Sequence, residues 1–178
     1  HPKSDGQPLD GTLLIHTEQG AGDAIQFVRY VPLAATRCRR ILFVCVQRLH
    51  RLFAQIPGID EMRPAGEFRA DSFDAYTPLM SLPYLSGTTL ETIPEFQPYL
   101  RPPGGQIPLP PSTLDRPRLK IGICWAGSRT HLNDRHRSVS LREFAPLLEL
   151  ADVAFYSLQY DESANELLEF GDRIVDLR

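Results

Sequence analysis

Short apolar runs alternate along the chain with segments whose apolar residues return at helical spacing. The first run, TLLIH at 12–16, is bounded by Gly11 and by the turn that holds Gly20 and Gly22, which predicts a buried strand. Behind it, in GDAIQFVRYVPLAATR (22–37), Ala24, Phe27, Val28, Val31 and Ala35 line one face of a helix that Pro32 is expected to bend. RILFVCV (40–46) reads as the next strand, RLHRLFAQI (48–56) as a short helix stopped at Pro57-Gly58, and 59–62 as a short third strand. DAYTPLMSLPYL (74–85) adds a further strand and a helical turn interrupted by Pro83.

Strand and helix in alternation require parallel strands joined by crossover helices, so the pattern predicts a doubly wound α/β sheet. The rhythm stops between Ile93 and Pro117, where Pro94, Pro98, Pro102, Pro103, Pro108, Pro110 and Pro111 with Gly104-Gly105 suit neither a helix nor an inner strand. We read 1–93 as one domain, 94–117 as a proline-rich linker and 118–178 as the start of a second domain. That second unit opens with the strand LKIGICW (119–125) and a polar loop at 126–137, followed by a helix in SVSLREFAPLLEL (138–150), where Ser140 and Glu143 have capping-box spacing. VAFYSL is a strand, ESANELLEF a helix stopped by Gly171, and RIVDL a third strand. A β-α-β-α-β series is one half of a nucleotide-binding doubly wound domain, and 118–178 is expected to be that half, in a chain that begins at His1 and reads as an excised piece.

Composition narrows the function classes. The 178 residues carry 19 Lys+Arg against 22 Asp+Glu, so no global field attracts nucleic acid, and an anion must be held by local groups. Three cysteines without CxxC spacing, Cys38, Cys45 and Cys124, point to reduced, buried thiols in a cytoplasmic protein and away from a metal site. The longest uninterrupted apolar run, ILFVCV, falls far short of the roughly 20 residues of a membrane span.

Two segments carry candidate chemistry. In TEQGAGDAIQFVRY (17–30), Gly20 and Gly22 fall at the carboxyl end of the first strand, where open α/β sheets bind ligands and a following helix offers free N–H groups. The dinucleotide fingerprint fails because Ile25 stands where its third glycine belongs, and the Walker pattern fails for want of Lys-Ser or Lys-Thr. Asp23, in the first helical turn, is either a general base directed at the crevice or a cap on the helix, with the glycines making a turn. In CWAGSRTHLNDRHRSVS (124–140), Gly127 and Ser128 follow a strand, and Arg129, Arg135 and Arg137 crowd a loop together with the hydroxyls of Ser128, Thr130 and Ser138. Such a loop suits a pyrophosphate, or it is a solvated arginine loop paired with Asp134. His131 and His136 lack the neighbours of a metal site, and Trp125 reads as core or as a platform beside the crevice.

Taken in order, LLIHTEQGAGDAIQFVRYVP, YTPLMSLPYLSGTTLETIP, IGICWAGSRTHLNDRHRSVSL and FYSLQ resemble the glycosyltransferase region that follows tetratricopeptide repeats in many bacterial proteins. That region is similar to the family 9 glycosyltransferases, the lipopolysaccharide heptosyltransferases. The resemblance covers nearly the whole chain. It implies a GT-B architecture of two Rossmann-like domains, with a glycan or protein acceptor on the first, a nucleotide-sugar donor on the second, and neither a cofactor nor a metal. It also implies tetratricopeptide repeats elsewhere in the parent. The acid thought to be the base in that family follows a glycine after the first strand, which here is Asp23 after Gly22; Gly20, Gly22 and Gln26 then lie on the acceptor side. On the donor side the resemblance points to Gly127, Ser128, Arg135, Arg137 and Ser138. The chain reads HRSVS where the heptosyltransferases carry a Lys-Arg-Trp-Pro type segment, so the donor sugar does not carry over, and their later acid-and-histidine segment is absent. The expected activity is inverting transfer of a sugar from a nucleotide sugar to an acceptor hydroxyl, with this piece inactive by itself. A non-catalytic carbohydrate-binding or scaffold module is the alternative.

Overall fold

The computed structural model describes residues 8–67, 72–94, 98–102, 104, 119–129 and 131–178. The chain divides into two compact units, one ending at Gly105 and the other beginning at Gln106. Most of the stretch 94–117 that the sequence suggests as a linker lies outside the described residues, as does Thr130.

The first unit holds β1 (Leu9–His16), α1 (Ala21–Phe27), α2 (Val31–Ala35), β2 (Cys38–Cys45), α3 (His50–Phe53), β3 (Glu61–Pro64), β4 (Ala75–Pro78) and α4 (Leu82–Leu85). All pairs are parallel, in the order β3-β2-β1-β4, with Leu14 opposite Leu42 on one side and Tyr76 on the other. Parallel strands covered on both faces need apolar residues at successive positions, and Ile41 to Cys45 are all buried. Alternate residues divide between the faces. Ile15, Ile41, Phe43 and Cys45 pack with Val28, Val31, Leu49 and Phe53 of the helical layer, whereas Leu14, Leu42 and Val44 pack on the other face beside Phe73. Phe43 and Phe53 meet edge to face with ring centroids 5.8 Å apart.

The single bent helix expected over 22–37 is two short α-helices joined by a 3-10 turn at Val28–Tyr30. Pro32 accounts for the break, because its ring would collide with the carbonyl four residues earlier, at Val28. The proline itself lies in the first turn of α2, where a missing N–H is tolerated. Ala24, Val28 and Val31 face the core as expected, Ala34 joins them, and Phe27 and Ala35 are only partly buried against it. The α2 side of the layer also requires a glycine at position 58, where φ is +88° and a Cβ would lie 2.4 Å from that of Ala35.

The second unit is a parallel sheet of β5 (Leu119–Ile123), β6 (Val153–Ser157) and β7 (Ile174–Asp176), in the order β5-β6-β7. Ile123, Trp125, Leu141, Phe155, Ala164, Leu167 and Ile174 form its core. The helices expected at 138–150 and 162–170 are instead 3-10 segments at Leu141–Phe144, Leu147–Glu149 and Glu162–Glu169. Pro146 explains the first pair, since it can neither donate an N–H nor tolerate the carbonyl of Arg142 beneath it. The capping box also differs. Ser140 does stand at the N-cap, accepting from the Arg142 N–H, but the carboxylate there is that of Glu166 rather than Glu143. The chain is thus mixed α/β with parallel sheets, the described residues of the second unit holding 3-10 segments in place of α-helices. No helix among the described residues is long and apolar enough to cross a membrane.

Candidate functional site

In the first sheet the chain winds outward from β1 through β2 to β3, then returns to place β4 on the opposite side of β1. Strand order therefore reverses at β1, and a crevice opens at the carboxyl ends of such a pair. The turn Thr17–Gly20 leaves β1 at this point. Glu18 ties it to the turn after β4, its Oε1 accepting from the Met80 N–H at 3.3 Å. Of the two roles open to Asp23, base or cap, the structure shows the hydrogen bond of a cap: its Oδ2 accepts from the Gly20 N–H at 3.1 Å. A Cβ on Gly20 would come within 3.4 Å of that oxygen, whereas one on Gly22 would meet nothing within 4 Å. Gln26 is exposed on α1, and its carbonyl accepts from Arg29 Nε. Arg29 lies 4.5 Å over the Tyr99 ring, and the Tyr99 hydroxyl donates to the Ile25 carbonyl, which holds α1 from outside. On the other sheet face a cavity of about 330 Å³ opens near the carboxyl ends of β1, β2 and β4, between Leu14, His16, Phe73 and Tyr76.

In the second unit the loop after β5 is fastened at three levels. At its entry Gln159, which follows β6 and is only 2% exposed, accepts through Oε1 from the N–H groups of Trp125 and Ala126 at 3.2 and 3.1 Å. Its Nε2 donates to the Ala126 carbonyl at 3.0 Å and to Asp161 Oδ1 at 2.7 Å. At the neck, Ser138 Oγ accepts from the Gly127 N–H at 2.9 Å and donates to Asp134 Oδ1 at 2.6 Å. At the exit, Glu166 accepts from the Ser140 hydroxyl and the Leu141 N–H, and its other oxygen accepts from the Trp125 indole N–H at 3.3 Å. Gln159 and Ser163 also hold the Asp161 carboxyl below its ordinary range, since each hydrogen bond favours the charged form.

Between these fastenings the loop projects Ser128, Arg129, Arg135 and Arg137, all exposed. Asp134 is spent on Ser138 and pairs with none of the arginines, contrary to the solvated ion-pair reading. Arg129 reaches Ser163 Oγ at 3.4 Å and Arg135 reaches His136 at 3.0 Å; neither they nor Arg137 form an ion pair among the described residues. The structure therefore gathers Ser128, Arg135, Arg137 and Ser138 on one loop, with Gly127 and Ser138 serving as its neck. Trp125 is core, 2% exposed. Cys124 departs from the buried thiols expected: it is exposed, whereas Cys45 is buried and Cys38 partly so. The sequence reading missed Gln159 and Glu166. The only signal of Gln159 was a polar residue directly after the strand in FYSLQ, and Glu166 looked like one more acid on an amphipathic segment.

The chain matches no protein-family model, and no solved structure matches it significantly. It is 27% identical over 183 aligned residues to Protein FlbA of Caulobacter vibrioides, across 91% of this chain and 30% of that protein. The chain thus spans just under a third of the length of the curated relative it matches.

Proposed function

We propose that this chain is the acceptor-side domain and the start of the donor-side domain of an inverting glycosyltransferase of GT-B type, which takes its sugar from a nucleotide-sugar donor. The observation that carries the reading is shared by both units: the first strand of each parallel sheet delivers a polar, glycine-containing turn to the carboxyl edge. In the second unit that turn is the fastened loop with three exposed arginines, whose forked donors suit the two phosphates of a departing nucleoside diphosphate. In the first unit, Asp23 takes the proton of the acceptor hydroxyl as that oxygen attacks the anomeric carbon and the diphosphate leaves with the bonding pair. Arginines on the loop stabilise the charge that develops on the leaving group.

One observation favours a non-catalytic carbohydrate-binding or scaffold module instead, namely that one oxygen of Asp23 is already engaged by Gly20. Release of nucleoside diphosphate from a panel of nucleotide sugars, measured on the full-length protein that carries these residues, separates the two. Release that stops with Arg137→Ala supports transfer. A protein that binds glycans and releases nothing from any donor is the scaffold.

A further inference from the structure

We infer that Gln159 is a positioning residue for the donor loop, and that the first three backbone N–H groups of this loop take no part in holding its anion; the inference rests on the donor-side reading above. A glutamine carboxamide has two N–H donors and one carbonyl oxygen. Here both donors are used, on the Ala126 carbonyl and on Asp161, while the oxygen receives the N–H groups of Trp125 and Ala126 and the thiol of Cys124 at 3.3 Å. Both polar groups of the Ala126 backbone thus end on one buried side chain, fixing the peptide planes from which the loop departs. The next N–H, that of Gly127, is taken by Ser138.

Three consecutive backbone donors, at Trp125, Ala126 and Gly127, are therefore consumed within the protein. In a glycine-rich phosphate loop these are the groups that would face the ligand. Recognition here passes to Arg129, Arg135 and Arg137, held on a frame that Gln159 sets.

Trp125 is the only tryptophan of the chain and adjoins the clamp, so its fluorescence reports on this loop. The experiment titrates the 178-residue chain with inorganic pyrophosphate, following Trp125 emission and calorimetry, for the wild type, Gln159→Met and Arg137→Ala. Amide hydrogen exchange is recorded in parallel. Methionine keeps the volume and removes every hydrogen bond. The expected result is a pyrophosphate affinity at least about tenfold weaker in Gln159→Met, as for loss of one or two buried hydrogen bonds. The Trp125 and Ala126 amides should exchange faster in that variant, while Phe155 and Tyr156 in β6 keep their protection.

Wild-type affinity in a folded Gln159→Met, with Arg137→Ala weakened, overturns the positioning role and leaves the donor reading standing. No pyrophosphate binding by the wild type overturns the inference, and the donor reading is then decided by nucleoside diphosphate release from the full-length protein. If Gln159→Met does not fold, the wild type still decides: unprotected Trp125 and Ala126 amides overturn the clamp, and amides that are slow to exchange and slower still with pyrophosphate support it.

Discussion

Glu166 accepts the backbone N–H of Leu141 at 2.8 Å across 25 residues of chain, with the same oxygen that takes the Ser140 hydroxyl. One carboxylate thus satisfies the first donors of the segment after the loop and, through its other oxygen, the indole of Trp125. Glu166→Ala leaves the Leu141 N–H and the indole N–H without these partners and is expected to destabilise the second unit by about 1–3 kcal/mol. Chemical denaturation followed by Trp125 fluorescence measures it. Unchanged stability would mean that solvent replaces the carboxylate at no cost.

Asp23→Asn separates the two roles open to this residue. An asparagine oxygen still caps the Gly20 N–H, so stability should change by less than about 1 kcal/mol, whereas loss of a positioned base should lower turnover by roughly 10²- to 10⁴-fold. Thermal melting and nucleoside diphosphate release, measured side by side on the full-length protein, report the two effects. Normal turnover in the variant reduces Asp23 to its cap.

Acid should loosen the second unit through Asp161. Its folded-state pKa lies below the ordinary 3.8, chiefly because Gln159 donates to it. A depressed carboxyl pKa contributes stability that is fully present above the unfolded value and is lost as pH falls through the folded one. The expected window therefore lies below about pH 4. Asp161→Asn, which keeps the acceptor for Gln159 and Ser163 but does not titrate, should flatten the fall of stability with acid over that range. An identical acid profile in the variant would rule the linkage out.

The cysteines should differ in reactivity. Burial pushes the Cys45 thiol up to about 11, so it is neutral at pH 8 as well as shielded. Burial raises Cys38 as well, with the Asp60 charge adding to it. Exposed Cys124 should be the first to react with a thiol reagent in the native protein, as peptide mass spectrometry would detect, and Cys45 should react on the timescale of unfolding. Early modification of Cys45 would show that the first sheet opens locally.

Phe43 and Phe53 are both fully buried and touch edge to face. Phe43→Ala should cost about 3–5 kcal/mol, since it opens a void between β2 and α3. Denaturant unfolding of the first unit reads the loss directly, and a cost below about 1 kcal/mol would mean that the helical layer collapses to fill it.

The strands were legible because their signal is local. RILFVCV has no polar position between Ile41 and Val46, and the structure buries Ile41, Phe43 and Cys45 under the helical layer and Leu42 and Val44 on the opposite face. Pro32 and Pro146 each broke a helix whose apolar spacing had looked continuous, because spacing records which face is buried and not how tightly the backbone winds. The residues that frame the loop were less accessible. Gln159 and Glu166 find partners 25 to 41 residues away, and no period or neighbouring residue encodes a contact that only the folded sheet creates. Asp23 was legible in place but not in orientation, since cap and base require the same residue at the same position.

The pairing of β1 with β4 sets an order on synthesis. Leu13 to His16 are central only once Ala75 to Pro78 arrive, so until then an emerging chain carries a strand of Leu, Leu and Ile with one bare edge. Such an edge recruits other strands, and a pairing so distant along the chain is slow to form. Truncations that end between β3 and β4 should therefore accumulate as aggregates, while those that include Pro78 stay in solution.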